Sequence, residues 1–268
     1  MLPIPMSCPG KIFITGASSG IGSALASHYA REGAVLGLAA RRGDVLEALA
    51  EKLIRNGAKE VICYPLDVTD AAALRLAAEA FMARFGAPDI VIANAGVSSG
   101  TLTECAEDYE TFKRIFEINL FGMVATFSPF IAAMQRAAIA GRAGRLVGIA
   151  SVAGIRGLPG AEAYSASKAA AIAYLESLRL EMRSSGIKVV TIAPGYIETP
   201  MTAINPYRMP FLLPAAEAAR RFARAIERGS SYTVIPWQMG AVAKILRLLP
   251  NWLYDRLFAN APRKPKIL

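Results

Sequence analysis

Histidine is almost missing from this chain: His28 is the only one among 268 residues. A Ser-His-Asp triad would have to rest on that single side chain, and a His-rich metal site is excluded, so no metal is expected. His28 itself is expected on the helix after a glycine loop, outside the chemistry. Cysteine is scarce as well. Cys8, Cys63 and Cys105 are odd in number and widely spaced, with no Cys-x-x-Cys, which excludes a disulfide framework and fits a reducing compartment. They read as small apolar packing residues. No apolar run reaches the roughly 18–20 residues that a membrane-spanning helix requires. The opening Met1–Gly10 is too short and too broken by proline for a signal peptide. Together these absences imply a cytoplasmic chain. Base-reading motifs and aromatic-basic interleaving are also missing, which argues against nucleic acid as a partner.

What is present is apolar surface in quantity. At 54% hydrophobic and 19% charged residues, the chain is excluded from disorder and can bury a sizeable core. Short β-branched runs alternate with longer alanine-rich stretches. Strands are expected at Lys11–Thr15, Ala34–Ala40, Glu60–Pro65, Ile90–Asn94, Arg145–Ser151, Lys188–Ala193 and Tyr232–Ile235. Most are continuous apolar runs, the pattern of strands buried on both faces. Asp44 is expected to precede a helix over Val45–Asn56 that stops at Gly57. Thr69 or Asp70 precedes another, which runs to Phe85 and stops at Gly86. Strands alternating with helices of this length imply βαβ units and a parallel sheet. An α/β doubly wound, three-layer α/β/α sandwich follows. No repeat or linker divides it, so residues 1–268 are expected to form a single domain.

The turn Thr15-Gly16-Ala17-Ser18-Ser19-Gly20-Ile21-Gly22 follows the first strand and opens a helix. Glycines there let backbone approach a pyrophosphate, whose charge is met by free N–H groups at the helix N-terminus. Farther on, Tyr164 and Lys168 lie four residues apart on an expected helix and so share a face. Ser151 ends a strand thirteen residues before Tyr164, where ligands of such sheets gather.

With these residues in place the chain resembles the short-chain dehydrogenase/reductase family, from the first strand to about residue 235. Residues 15 to 22 match the family's TGxxxGxG, and Asn94-Ala95-Gly96 match its Asn-Ala-Gly. Asn119, Ser151, Tyr164 and Lys168 match its active-site set. Pro194-Gly195 match its Pro-Gly, and Thr199 its carboxamide-binding threonine. The resemblance implies a Rossmann-like fold with a core over about 9–235, and an enzyme that moves hydride between a nicotinamide and a carbonyl or alcohol. It implies cofactor contacts from Gly16, Ser18, Ser19, Gly20, Ile21 and Gly22, from Asp67 and Val68 near the adenine, and from Asn94, Ala95, Gly96, Tyr164, Lys168, Pro194, Gly195, Ile197 and Thr199. In catalysis it makes Tyr164 the general acid or base and Ser151 the group that binds the substrate oxygen. Lys168 lowers the tyrosine pKa and holds ribose, and Asn119 holds a water. The second strand ends Ala39-Ala40-Arg41-Arg42, with arginine where a carboxylate would select NAD. Arg41 and Arg42 suit a 2′-phosphate, so NADP(H) is the expected cofactor. The alternatives are a non-catalytic NADP(H)-binding regulator on the same fold, or an epimerase or dehydratase.

Two segments break the alternation. Tyr196–Pro214, within a lid over about 195–214, offers Ile197, Met201, Ile204, Tyr207, Met209 and Phe211–Leu213 with Glu198 and Arg208 as its only charges. Such a lid favours a lipophilic substrate over a sugar or a carboxylate. After Ile235 comes an extension, 236–268, with two short apolar-basic helices expected around Pro250. From Glu217 to Leu268 ten Lys/Arg stand against three Asp/Glu, which places +7 of the net charge of +9 there. Trp237, Trp252 and Tyr254 among aliphatics and Lys244, Arg247 and Arg256 could lie on an anionic membrane surface. The same segment could close the pocket or join subunits. A homo-oligomer, dimer or tetramer, is expected from the family resemblance.

Overall fold

The computed structural model describes residues 10–267. Cys8 and nearly all of the opening segment lie outside the described residues. The alternation read above is realised as β1 (Lys11–Thr15), α1 (Gly20–Arg31), β2 (Val35–Ala40), α2 (Gly43–Arg55), β3 (Glu60–Pro65) and α3 (Ala71–Phe85). Next come β4 (Ile90–Ala93), α4 (Asp108–Phe116), α5 (Gly122–Ile139), β5 (Arg145–Ile149), α6 (Glu162–Glu181) and β6 (Lys188–Pro194). The lid holds β7 (Ile197–Glu198), α7 (Pro200–Ala203) and β8 (Leu213–Pro214). The chain then continues through α8 (Ala215–Arg228), β9 (Tyr232–Ile235), α9 (Trp237–Leu248) and α10 (Asn251–Phe258).

Seven strands form one parallel sheet in the order β3-β2-β1-β4-β5-β6-β9. Alternate residues of each strand face opposite layers, as the pleat requires. Ile12 and Ile14 join Leu36, Leu38, Val190 and Ile192 against α1, α2 and α8. Phe13 points the other way, into Phe81 of α3 and Phe127 and Phe130 of α5. Its ring lies 4.9 Å from that of Phe130 and 5.7 Å from that of Phe81. Each such buried side chain contributes about 1.5–3 kcal/mol, so the two apolar layers hold the sheet edge to edge. Strand order reverses direction between β1 and β4, which opens a crevice above the carboxyl ends of the strands.

Some expectations need correction. Asp44 does not precede α2: the helix begins at Gly43 with Arg42 at its N-cap, so Asp44 sits in the first turn, beside the positive helix end. Asp70, rather than Thr69, caps α3 by accepting a hydrogen bond from Ala73 N at 2.9 Å. Asn94 and Ser151 fall just beyond their strands. The long helix over Asp108–Ile139 is also long and apolar enough to cross a membrane, although no unbroken apolar run announced it. Met123, Phe127, Phe130 and Met134 of that helix are buried in the core.

Candidate active site

The loop from β1 to α1 is shaped by contacts that only glycine permits. At Gly16 the backbone takes φ +66, and a Cβ would stand 2.7 Å from Ala95 Cα. Asn94 fastens this turn through its side-chain amide, which donates to the carbonyls of Thr15 and Gly16 at 3.1 Å each. Ser19, at the N-cap of α1, makes no capping bond through its side chain. The first N–H groups of that helix are therefore free to meet an anion in the crevice. Gly22 lies behind the turn, where a Cβ would stand 2.7 Å from Asn94 Nδ2; it does not line the cleft.

A cavity of about 300 Å³ occupies the crevice. Among the residues assigned to the cofactor from sequence, all but Gly22 line it: Gly16 and Ser18–Ile21 of the loop, Arg41 and Arg42, Asp67 and Val68, Asn94 to Gly96, Tyr164 and Lys168, and Pro194, Gly195, Ile197 and Thr199. Arg42 Nη2 donates to Ser18 Oγ at 3.1 Å, so the guanidinium is held over the glycine turn. Among the described residues Asp67 is the only carboxylate on the cavity wall, and it is already engaged. It accepts from Thr69 N at 3.0 Å, Thr69 Oγ1 at 2.9 Å and Arg114 Nη2 at 2.7 Å. Burial pushes its pKa up, but these bonds outweigh burial and hold it below the usual carboxylate value. Arg114, on α4, carries no sequence signal tying it to Asp67.

Ser151, Tyr164 and Lys168 meet on the same wall of the cavity. Ser151 caps a short turn after β5, its Oγ accepting from Ala153 N at 3.1 Å. Tyr164 and Lys168 occupy successive turns of α6. Burial raises the Tyr164 pKa, and its hydrogen bond with Ser151 opposes that rise. The expected lowering by lysine is not what the geometry gives. Lys168 Nζ lies 6.0 Å from the Tyr164 ring centroid and donates to Ile149 O at 2.9 Å. Burial alone pulls its own pKa down to about 8, which weakens it as a fixed cation beside the phenol.

The family model described as short chain dehydrogenase matches residues 11–207. The chain belongs to the short-chain dehydrogenase family. An uncharacterized oxidoreductase of Myxococcus xanthus is 38% identical over 242 residues, covering 90% of this chain and 93% of its own. The 11-beta-hydroxysteroid dehydrogenase-like 2 of Arabidopsis thaliana is 34% identical over 94% of this chain and 82% of its own. Among solved structures, the alcohol dehydrogenase of the archaeon Thermococcus sibiricus, complexed with 5-hydroxy-NADP, superposes with TM-score 0.74 at 28% identity, over 84% of this chain and 95% of that one.

In this short-chain dehydrogenase Asn119 lies within a π-helical stretch, Glu117–Phe121, and does not line the cleft. Both N–H donors of its buried amide are used. Oδ1 accepts from Val97 N at 2.8 Å, and Nδ2 donates to Val97 O and Ser167 Oγ, both at 3.0 Å. A side chain with all these partners has no donor left for a water. Sequence reasoning also missed Lys264, whose Nζ lies 5.1 Å from the Tyr164 ring centroid. His28 sits on α1, 3.3 Å from Glu32, and does not line the cavity.

Proposed function

We propose that this oxidoreductase transfers hydride between NADP(H) and a lipophilic ketone or alcohol, within one catalytic domain. The observation that carries the reading is the convergence of Ser151, Tyr164 and Lys168 on the cavity that also holds the glycine turn and Arg41–Arg42. Bound there, the cofactor would supply or accept the hydride. Tyr164 gives its phenol proton to the oxygen left by a reduced carbonyl, or takes it back in oxidation. The Ser151 hydroxyl donates to that oxygen as charge develops on it. Lys168, on the same cavity wall, would hold the nicotinamide ribose. Arg41 and Arg42 hold a 2′-phosphate. The lid supports a lipophilic substrate, because Ile197, Pro200 and Met201 of the mostly apolar Tyr196–Pro214 segment line the cavity. NADPH consumption across long-chain, steroid and small aromatic ketones tests the reading. Turnover of at least one apolar ketone is expected. No turnover in either direction would favour a non-catalytic NADP(H)-binding regulator, and a product without net NADPH loss an epimerase or dehydratase.

A second observation favours contact with membrane. On α9 and α10, Trp237 is 71% exposed, Leu248 84% and Trp252 69%, among Lys244, Arg247 and Arg256. Their opposite face is anchored, since Met239, Ala243 and Tyr254 are buried. A cytoplasmic protein with this ridge docks reversibly on anionic lipid, each basic residue adding about 1 kcal/mol. It is expected to co-sediment with anionic vesicles at low salt and to be released at about 1 M salt, where screening shortens to about 3 Å. Retention in the supernatant at low salt would end this reading. The same reading includes a homo-oligomer, because Tyr109, Phe121 and Val124 stand exposed along Asp108–Ile139; light scattering that finds a monomer would remove that part.

A further inference from the structure

After α10 the chain does not leave the molecule. Residues 261–267 form an extended strap, pinned at several points. Gly100 N donates to Pro265 O at 2.9 Å, and Ile267 N donates to Ser99 Oγ at 2.9 Å. Lys266 Nζ lies 2.9 Å from the carboxylate of Asp108, which is itself buried. On the other side, the Arg263 stem packs against Gly160, where a Cβ would stand 2.8 Å from Arg263 Cβ. The strap therefore spans two loops that flank the catalytic residues, the one after β4 and the one before α6. These loops also meet directly, Thr101 N donating to Gly160 O at 3.3 Å. Further back, Arg156 secures the extension by donating to Leu249 O at 2.8 Å, with its guanidinium 3.9 Å above the Tyr254 ring centroid.

This anchoring delivers Lys264 to Tyr164. The two neighbouring cations of the strap have other business: Lys266 pairs with Asp108, and the Arg263 stem covers Gly160. Lys264 pairs with no carboxylate among the described residues and stands outside the wall of the cofactor cavity. Its ammonium is mostly removed from water, and burial pulls its pKa down to about 8. Removing an unpaired cation from water is costly, and an anion brought beside it offsets that cost. No residue described near Tyr164 supplies that anion. The incoming substrate can, because Tyr164 must itself touch the substrate oxygen.

We propose that Lys264 is a specificity-determining residue, which the C-terminal strap holds in place to pair with a carboxylate that an otherwise apolar substrate carries beside its reacting carbonyl. The inference rests on the reductase reading above and narrows its substrate class. Lys264 lies close to the ring of the proton donor, so the carboxylate and the carbonyl stand within a few bonds of each other. The apolar lid receives the rest of the molecule.

Calorimetric titration of the NADPH-loaded protein with decanoate, and with decanol as the neutral match, tests this directly. The wild type is expected to bind decanoate more tightly than decanol. Lys264→Met should weaken decanoate about 10-fold or more, as loss of one charge-assisted contact implies, while Lys264→Arg keeps most of the affinity. Gly100→Ala provides an independent variant, because its Cβ would run into the Lys264 carbonyl and lift the strap without changing the lysine. It should show the same loss. Equal decanoate affinity in the wild type and Lys264→Met overturns the proposal, and so does failure of the wild type to bind decanoate. Turnover is then compared for a medium-chain methyl ketone and the β-oxo carboxylate that differs from it by one carboxylate. If decanoate binds through Lys264 but neither compound consumes NADPH, the reductase reading fails and the anion site stands.

Discussion

Tyr164→Phe should lower NADPH-dependent ketone reduction by about 10²–10⁴-fold while NADPH affinity stays close to that of the wild type. The substitution removes one oxygen and leaves the half-buried ring in its place on α6. Proton delivery to the substrate oxygen is lost, whereas the glycine turn and the arginines that would hold the nucleotide are untouched. Burial raises the phenol pKa above its ordinary value near 10, so the acid form dominates at neutral pH. Reduction needs that acid form, and its rate should therefore hold constant through neutrality and fall only in strong alkali. Oxidation needs the phenolate, so its rate should climb with pH over the range in which the phenol ionises. Turnover and cofactor titration of wild type and variant, across pH, check both statements. A variant that retained most of the wild-type rate would take Tyr164 out of the mechanism.

The trio proposed for the chemistry was legible because it sits on local patterns: a helix spacing of four for Tyr164 and Lys168, and for Ser151 a place just past the end of β5. The strands were legible for a related reason. A parallel sheet covered on both faces demands unbroken apolar runs, and Lys11–Thr15, Glu60–Pro65 and Tyr232–Ile235 emerge with the bounds expected. Even the extension kept its local grammar, with Pro250 separating α9 from α10. What stayed hidden was set by distance along the chain. Arg114 reaches Asp67 across 47 residues, and no periodicity marks the pair. The strap is held chiefly through backbone groups, such as Gly100 N and Pro265 O, which every residue but proline can offer as donor and all can offer as acceptor. Asn119 was picked out by motif, yet only the folded chain shows its amide consumed by Val97 and Ser167. The electrostatics around Tyr164 were read as a lysine effect, whereas burial decides the direction.

Cofactor choice should follow Arg41 and Arg42. The wild type is expected to prefer NADPH over NADH by about 10²-fold or more in kcat/KM, from two charge-assisted contacts of about 1.5–3 kcal/mol each, discounted for exposure. Both arginines line the cofactor cavity at the end of β2, where a carboxylate facing the ribose would otherwise repel the extra phosphate. They differ in support. Arg42 is steadied by its bond to Ser18, so less side-chain freedom is lost when it meets the phosphate. Arg41 has no such tether among the described hydrogen bonds, and Arg42→Ala should therefore erode the preference more than Arg41→Ala does. The double variant should bring the two cofactors to within about a few-fold of each other. Salt offers a second handle on the same contacts: they are exposed, and raising ionic strength toward 1 M, where screening acts within about 3 Å, should narrow the wild-type preference but leave the already flattened ratio of the double variant in place. Steady-state kinetics with both nucleotides at two salt concentrations distinguish the outcomes. Equal efficiency of NADPH and NADH in the wild type, or an undiminished preference in the double variant, would place 2′-phosphate recognition elsewhere in the cleft.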